Sequence, residues 1–152
     1  LVTLQQLLLL KKKNKGNLIK DYSFFSDTAN HDAINNSKGK LKMNGRAVMQ
    51  FAQNYVIKEI LSLLKKNKLK IQNIDKFYIH QGSKHIVGII TKSLKLDEEK
   101  VPLIIRDLGN TISSSIPIVL EKNKFNNDRY SILCGFGVGL SIATCLIKKY
   151  EK

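Results

Sequence analysis

Tryptophan is absent from the 152 residues and only 7% of them are aromatic. Any core must therefore be built mainly from isoleucine, leucine and valine. Cysteine is almost as scarce. Cys134 and Cys145 lie in apolar surroundings without C-x-x-C spacing or a nearby histidine set. That pattern excludes a disulfide framework and a zinc site, and it makes a reducing, cytoplasmic setting the default expectation. No apolar run approaches the roughly 20 residues that span a bilayer. The 1–10 stretch is broken by Thr3, Gln5 and Gln6. It lacks a preceding basic region and a small-residue cleavage site, so it reads as a strand and not as a signal peptide. No membrane association is expected. The first residue is Leu1 and not methionine, which predicts that the sequence starts within a gene.

Acidic residues are few, 12 against 26 Lys and Arg, for a net charge of +14. A surface of that sign attracts nucleic acid, anionic lipid or an acidic protein. The lysine runs at 11–15 and 65–70, however, read as solvated turns and not as a groove with interleaved aromatics. The chain is also rich in Asn and Ile, as expected of an AT-rich genome that drifts toward lysine. Nucleic acid is not an expected partner.

What is present is a 43% apolar content, enough for one domain with a real core. The pattern alternates strand and helix, the signature of an α/β layer fold. Leu1–Leu10 and Asn17–Phe25 read as strands joined by the KKKNKGN turn. Residues 26–42 are polar and read as a loop. A long helix is expected from about Gly45 to Lys66. Val48, Phe51, Ala52, Tyr55, Val56, Ile60, Leu63 and Leu64 recur there at three- and four-residue steps, and Asn67 is the stop. Lys76–Ile79 reads as a strand ending at His80, Lys84–Leu94 as a helix and 97–99 as a turn. Val101–Arg106 reads as another strand. Thr111–Lys122 reads as a helix that Pro117 should kink or break. Tyr130–Cys134 and Leu140–Ile147 read as strands flanking Gly135, Gly137 and Gly139. The last of them is apolar enough for the centre of a sheet.

Four stretches carry a family likeness in the right order and spacing: MNGRAVMQFA (43–52), IDKFYIHQGSKHI (74–86), LGNTISSSIPIVL (108–120) and GFGVGLS (135–141). Together they resemble the C-terminal half of the β-ketoacyl-acyl carrier protein synthase III enzymes, which are thiolase-fold condensing enzymes. The resemblance implies an α/β fold, half of a thiolase-like architecture with helices packed on a mixed sheet. It also implies a boundary: residues 1–41 would be a remnant of the N-terminal half and 42–152 the C-terminal domain. The implied activity is decarboxylative condensation of an acyl thioester with malonyl-acyl carrier protein. The implied partners are acyl carrier protein and acyl-coenzyme A, with a homodimer as the native assembly and no bound cofactor or metal. Two alternatives stay open, an acyltransferase of the same fold serving a secondary or surface-polysaccharide pathway, and a non-catalytic partner subunit.

By the same resemblance, His80 and Asn110 donate hydrogen bonds to the enolate oxyanion. The nucleophilic cysteine belongs to the N-terminal half, and neither Cys134 nor Cys145 matches it. His80 suits the role because a neutral imidazole donates from one nitrogen while a neighbour holds the other. A histidine at a strand end is also an ordinary core residue. Asn110 has a competing reading as the N-cap of the helix from Thr111, and a capping side chain is expected not to point its amide at substrate. Gly109 and the small run Ser113–Ser115 favour close approach of a ligand. Gly135, Phe136 and Gly137 are candidate substrate contacts, either through turn amides facing the site or as a plain turn. Ser83 and His85 depart from the family motif, which has Asn and Arg there. His85 weakens the contact to an acidic carrier, and Lys84 is its substitute, a point charge in place of a fork. Arg46 and Arg106 are further basic candidates, against a reading as solubilising surface.

Overall fold

A computed structural model describes residues 16–123 and 128–150. Its strands are β1 (Gly16–Ser26), β2 (Ile34–Ser37), β3 (Lys40–Met43), β4 (Lys76–Ile79), β5 (Tyr130–Gly137) and β6 (Ser141–Tyr150). Four of them make one sheet in the order β1–β6–β5–β4, and β2 and β3 pair separately. β4 runs parallel to β5, while β5–β6 and β1–β6 are antiparallel. The sheet is therefore mixed, as expected. The strand expected at 17–25 is β1, which falls within the 1–41 segment and pairs with β6 from Gly16↔Tyr150 to Ser26↔Ser141. The strand expected at 1–10 and its hairpin lie outside the described residues.

The helices are α1 (Gly45–Phe51), α2 (Ile57–Lys66), α3 (Lys84–Ser93), α4 (Ile105–Leu108) and α5 (Ser115–Lys122). α1 and α2 are joined without a break by a widened π turn, Ala52–Val56. The Asn44 side chain accepts from the Ala47 N–H and starts this run, and Asn67 caps its end. The apolar stripe read from sequence is its buried face: Val48, Phe51, Ala52, Val56, Ile60, Leu63 and Leu64 are all buried.

Alternation along the strands sorts the core into two layers. Phe77, Ile79, Ile132, Cys134, Ile142 and Leu146 face one side of the sheet, with the residues of α1 to α3. Tyr78, Leu133, Cys145 and Ile147 face the other, with Val119 of α5 and Ile104. β6 is interior to the sheet, as its apolarity implies.

Three expectations need correction. Residues 26–42 are not a plain loop: they hold a 3₁₀ segment, Thr28–Ala33, and the β2–β3 hairpin. Lys38 and Gly39 both take positive φ, 52° and 75°, and close a two-residue turn between the paired Ser37 and Lys40. The low strand propensity of Asn and Lys hid this hairpin. Residues 101–106 do not form a strand: 101–104 are an irregular link, and Ile105 and Arg106 open α4. Pro117 breaks nothing, because it lies in the first turn of α5, where its missing N–H has no partner to lose. The irregularity falls earlier, where the 3₁₀ turn Ile112–Ser114 meets Ser115.

Among the described residues β1 is an edge of this sheet, and it exposes Leu18, Tyr22 and Phe24 at alternate positions. Leu41 and Met43 on β3 are exposed as well. Apolar patches and open strand edges recruit other chains. The net charge of +14 opposes this, but about 0.15 M salt screens it beyond roughly 8 Å. The 152-residue polypeptide by itself is therefore expected to self-associate. Light scattering at physiological salt decides: a monodisperse 17.2 kDa species would overturn the expectation.

Candidate active site

The short parallel strand β4 delivers His80 to its C-terminal end, the edge at which α/β sheets present ligand-binding groups. The His80 backbone N–H donates to the Cys134 carbonyl at 2.8 Å, so the ladder with β5 continues one residue past the strand. The imidazole is fixed from two sides. Its Nδ1 lies 2.8 Å from the Ser115 hydroxyl at the start of α5. Its ring meets Phe136 of β5 edge-on, with centroids 5.4 Å apart. Burial lowers the His80 pKa below the ordinary imidazole value, against a smaller opposing hydrogen bond with the Ile112 backbone. The ring is thus neutral at physiological pH.

Gln81 follows and is fully buried. Its Nε2 donates to the Ile79 carbonyl at 2.9 Å and to the Pro102 carbonyl at 3.4 Å, and its Oε1 accepts from the Ile104 N–H at 3.2 Å. A side chain therefore satisfies the backbone that a neighbouring strand would otherwise pair, which is the physical reason 101–106 is not a strand. Gln81→Leu leaves those three groups buried without partners, each costing about 1–3 kcal/mol. A total loss of about 3 kcal/mol is expected, seen as a fall in Tm of roughly 6–12 °C for a domain of this size. An unchanged Tm would show that the link is held by something else.

Asn110 is not the N-cap expected of a helix from Thr111, because α5 starts at Ser115 and the cap position of the preceding 3₁₀ turn is Thr111 itself. Its Oδ1 instead accepts from the Ile112 N–H at 2.9 Å, a local side-chain turn. That bond uses the oxygen, while the Nδ2 donates to no group among the described residues. The bond also holds a strained residue. Ile112, β-branched, sits at φ 52°, a conformation such side chains avoid. His80 and Asn110 are thus tied to one segment, Asn110 through the Ile112 N–H and His80 through the Ser115 hydroxyl.

Comparison with known proteins bears on this arrangement directly. Residues 64–149 match the model of the 3-oxoacyl-[acyl-carrier-protein (ACP)] synthase III C-terminal family. The chain belongs to this family. Beta-ketoacyl-[acyl-carrier-protein] synthase III of Streptococcus mutans is 35% identical over 114 residues, 71% of this chain and 35% of that protein. The Clostridium novyi enzyme of the same name is 37% identical over 113 residues, 72% of this chain and 35% of that protein. A crystal structure of 3-oxoacyl-(acyl-carrier-protein) synthase III superposes with a TM-score of 0.79 at 28% identity, covering 86% of this chain and 47% of that one. The Thermus thermophilus synthase III gives 0.81 at 23% identity, covering 93% and 48%. The chain spans about a third of the length of the curated relatives it matches. The resemblance carried by the four motifs is borne out, as is the thiolase-like fold.

Within this synthase III C-terminal chain, the other candidates are placed as follows. The Ser83 hydroxyl accepts from the Ile86 N–H at 3.1 Å and caps α3, which accounts for a serine at that position. Lys84 and His85 are exposed in the first turn of α3, Arg46 in that of α1, and Arg106 on α4. None of the four makes an ion pair among the described residues. Gly135 and Gly137 belong to the ladder, opposite Ala143 and Ser141, and not to the turn. The turn itself needs Gly139, at φ 143°, where a Cβ would collide with Ser141. Phe136 is buried in the core with its edge on His80. Burial pushes the Cys134 thiol up to about 12 and the Cys145 thiol up to about 11. Neither is a reactive thiolate near neutrality. No helix among the described residues is long and apolar enough to cross a membrane.

Sequence reading did not single out Gln81, and it took Ser115 only as one of a run of small residues. Their signals were present in the residue after His80 and in the last serine before Ile116-Pro117. Each partners groups far away in sequence, which no local pattern displays.

Proposed function

We propose that this chain supplies the oxyanion-binding half of a synthase III enzyme that condenses an acyl thioester with malonyl-acyl carrier protein. The observation that carries the reading is that His80 and Asn110 are both tied to the Ile112–Ser115 segment, His80 through its Nδ1 on the Ser115 hydroxyl and Asn110 through its Oδ1 on the Ile112 N–H. In the proposed reaction, a cysteine of the other half first takes the acyl group from acyl-coenzyme A as a thioester. The malonyl thioester oxygen then accepts from His80 and Asn110. The bond to the malonyl carboxylate breaks, carbon dioxide leaves, and the electron pair forms an enolate on that oxygen. The enolate carbon attacks the acyl carbon, and the cysteine leaves as thiolate. Each positioned donor lowers the barrier by about 3 kcal/mol, because its dipole is fixed before the charge develops. No metal or cofactor takes part.

Cys134 and Cys145 are buried with raised pKa values and are not the nucleophile of this scheme. Lys84, Arg46 and Arg106 provide exposed positive charge for the acidic carrier. The proposed carrier contact rests on lysine and arginine. The proposed assembly is a homodimer of the whole enzyme in the cytoplasm. The test is a condensation assay with acyl-coenzyme A and malonyl-acyl carrier protein. Protein combining this chain with a synthase III N-terminal half is expected to release carbon dioxide and form 3-oxoacyl-acyl carrier protein, and the 152 residues alone to form none. Product from the 152 residues alone, or none from the combined protein, would overturn the proposal.

A further inference from the structure

Ser115 sits at the first position of α5 with its side chain fully buried. Its hydroxyl oxygen has two partners, the His80 Nδ1 at 2.8 Å and the Gln81 N–H at 3.3 Å. The Gln81 amide can only donate, so it occupies a lone pair of the oxygen. The hydroxyl proton then has one acceptor among the described residues, the Nδ1 of His80. A hydroxyl that donates to Nδ1 requires that nitrogen to be bare. In a neutral imidazole the proton then resides on Nε2. The Nε2 edge is also the one that borders Gly82, where a Cβ would lie 3.4 Å from both Nε2 and Cδ2. That edge of the ring is thus bordered by a residue with no side chain.

We infer that Ser115 is the positioning residue that sets the His80 tautomer, holding Nδ1 as acceptor so that the ring proton sits on Nε2. The Gln81 amide makes this directional, because it orients the serine oxygen and leaves its proton for the ring. Gln81 in turn is held by Ile79, Pro102 and Ile104. The inference rests on the donor role proposed for His80, yet its physical content, a tautomer, is measurable without any assay of activity.

The experiment is nitrogen-15 NMR of the histidine side chains in the combined two-half enzyme, with Ser115→Ala and Ser115→Thr beside the parent. His80 is assigned by its loss in His80→Ala. The parent is expected to show a bare Nδ1 and a protonated Nε2 for His80. Ser115→Ala is expected to shift His80 toward the Nδ1–H tautomer and to slow malonyl decarboxylation by roughly 10- to 100-fold, the scale seen when a group that orients an imidazole is removed. KM should change little, and Ser115→Thr, which keeps the hydroxyl, should restore the parent tautomer. A protonated Nδ1 in the parent would overturn the inference without recourse to any variant. An unchanged tautomer in Ser115→Ala would overturn it as well. If the tautomer behaves as expected while His80→Ala retains full activity, Ser115 still sets the ring and the proposed function is what fails.

Discussion

His80→Ala in the intact enzyme is expected to slow malonyl decarboxylation by about 10²- to 10³-fold, the cost of one oxyanion donor. Transfer of the acyl group to the nucleophilic cysteine should survive far better, because that half-reaction develops its charge elsewhere. The pH dependence follows from the environment of His80. Burial lowers its pKa, so the ring is neutral down to pH values below the ordinary 6.5. The sign is fixed by that direction. Protonation on both nitrogens would displace the Ser115 hydroxyl proton from Nδ1, so activity is lost as pH falls through the lowered value and is fully present above it. The unfolded chain takes up the proton first, near 6.5, so folding stability also falls as pH drops from about 6.5 to the native pKa. His80→Ala should remove both effects. Equal losses in the two half-reactions, or an acidic limb unchanged by the substitution, would remove His80 from the oxyanion site.

What the sequence revealed and what it hid divide along the range of the interactions. The helix at 45–66 was legible because its stripe repeats every three or four residues and Asn44 and Asn67 bracket it. β4 and its terminal histidine were legible for the same reason, since a short apolar run ended at a polar pair. The link at 101–104 misled because Val101, Leu103 and Ile104 carry strand propensity while their backbone partner is the side chain of Gln81, more than 20 positions away. Ser115 was read as a small residue that permits close approach. Its distinguishing property, a hydroxyl on the imidazole of His80, spans 35 positions. The β2–β3 hairpin was hidden differently. Its turn depends on positive φ at Lys38 and Gly39, and Lys-Gly is a weaker turn signal than Asn-Gly.

Asn110 offers the sharper separation of structure from chemistry, because its two roles use different atoms. Asn110→Asp keeps an oxygen for the Ile112 N–H and charges it, so that bond is preserved or strengthened. The same change removes the Nδ2 donor and puts a negative charge where the enolate oxygen would form. Loss of the donor alone costs about 10²- to 10³-fold, and repulsion of the oxyanion adds to it. Asn110→Asp is therefore expected to fold as stably as the parent and to lose at least 10²-fold in decarboxylation. Asn110→Ala loses the acceptor for the Ile112 N–H and the donor together. It should fall by a similar factor in rate and also by about 1 kcal/mol in stability, as the Ile112 N–H loses its partner and the strained φ of Ile112 loses its clamp. Thermal melts and single-turnover decarboxylation on the same samples decide between the readings. If Asn110→Asp decarboxylates at the parent rate, Asn110 only holds the Ile112 backbone and His80 must act with a different donor. If Asn110→Asp melts well below Asn110→Ala, the oxygen does not hold Ile112, and the local framework joining the two residues is wrong.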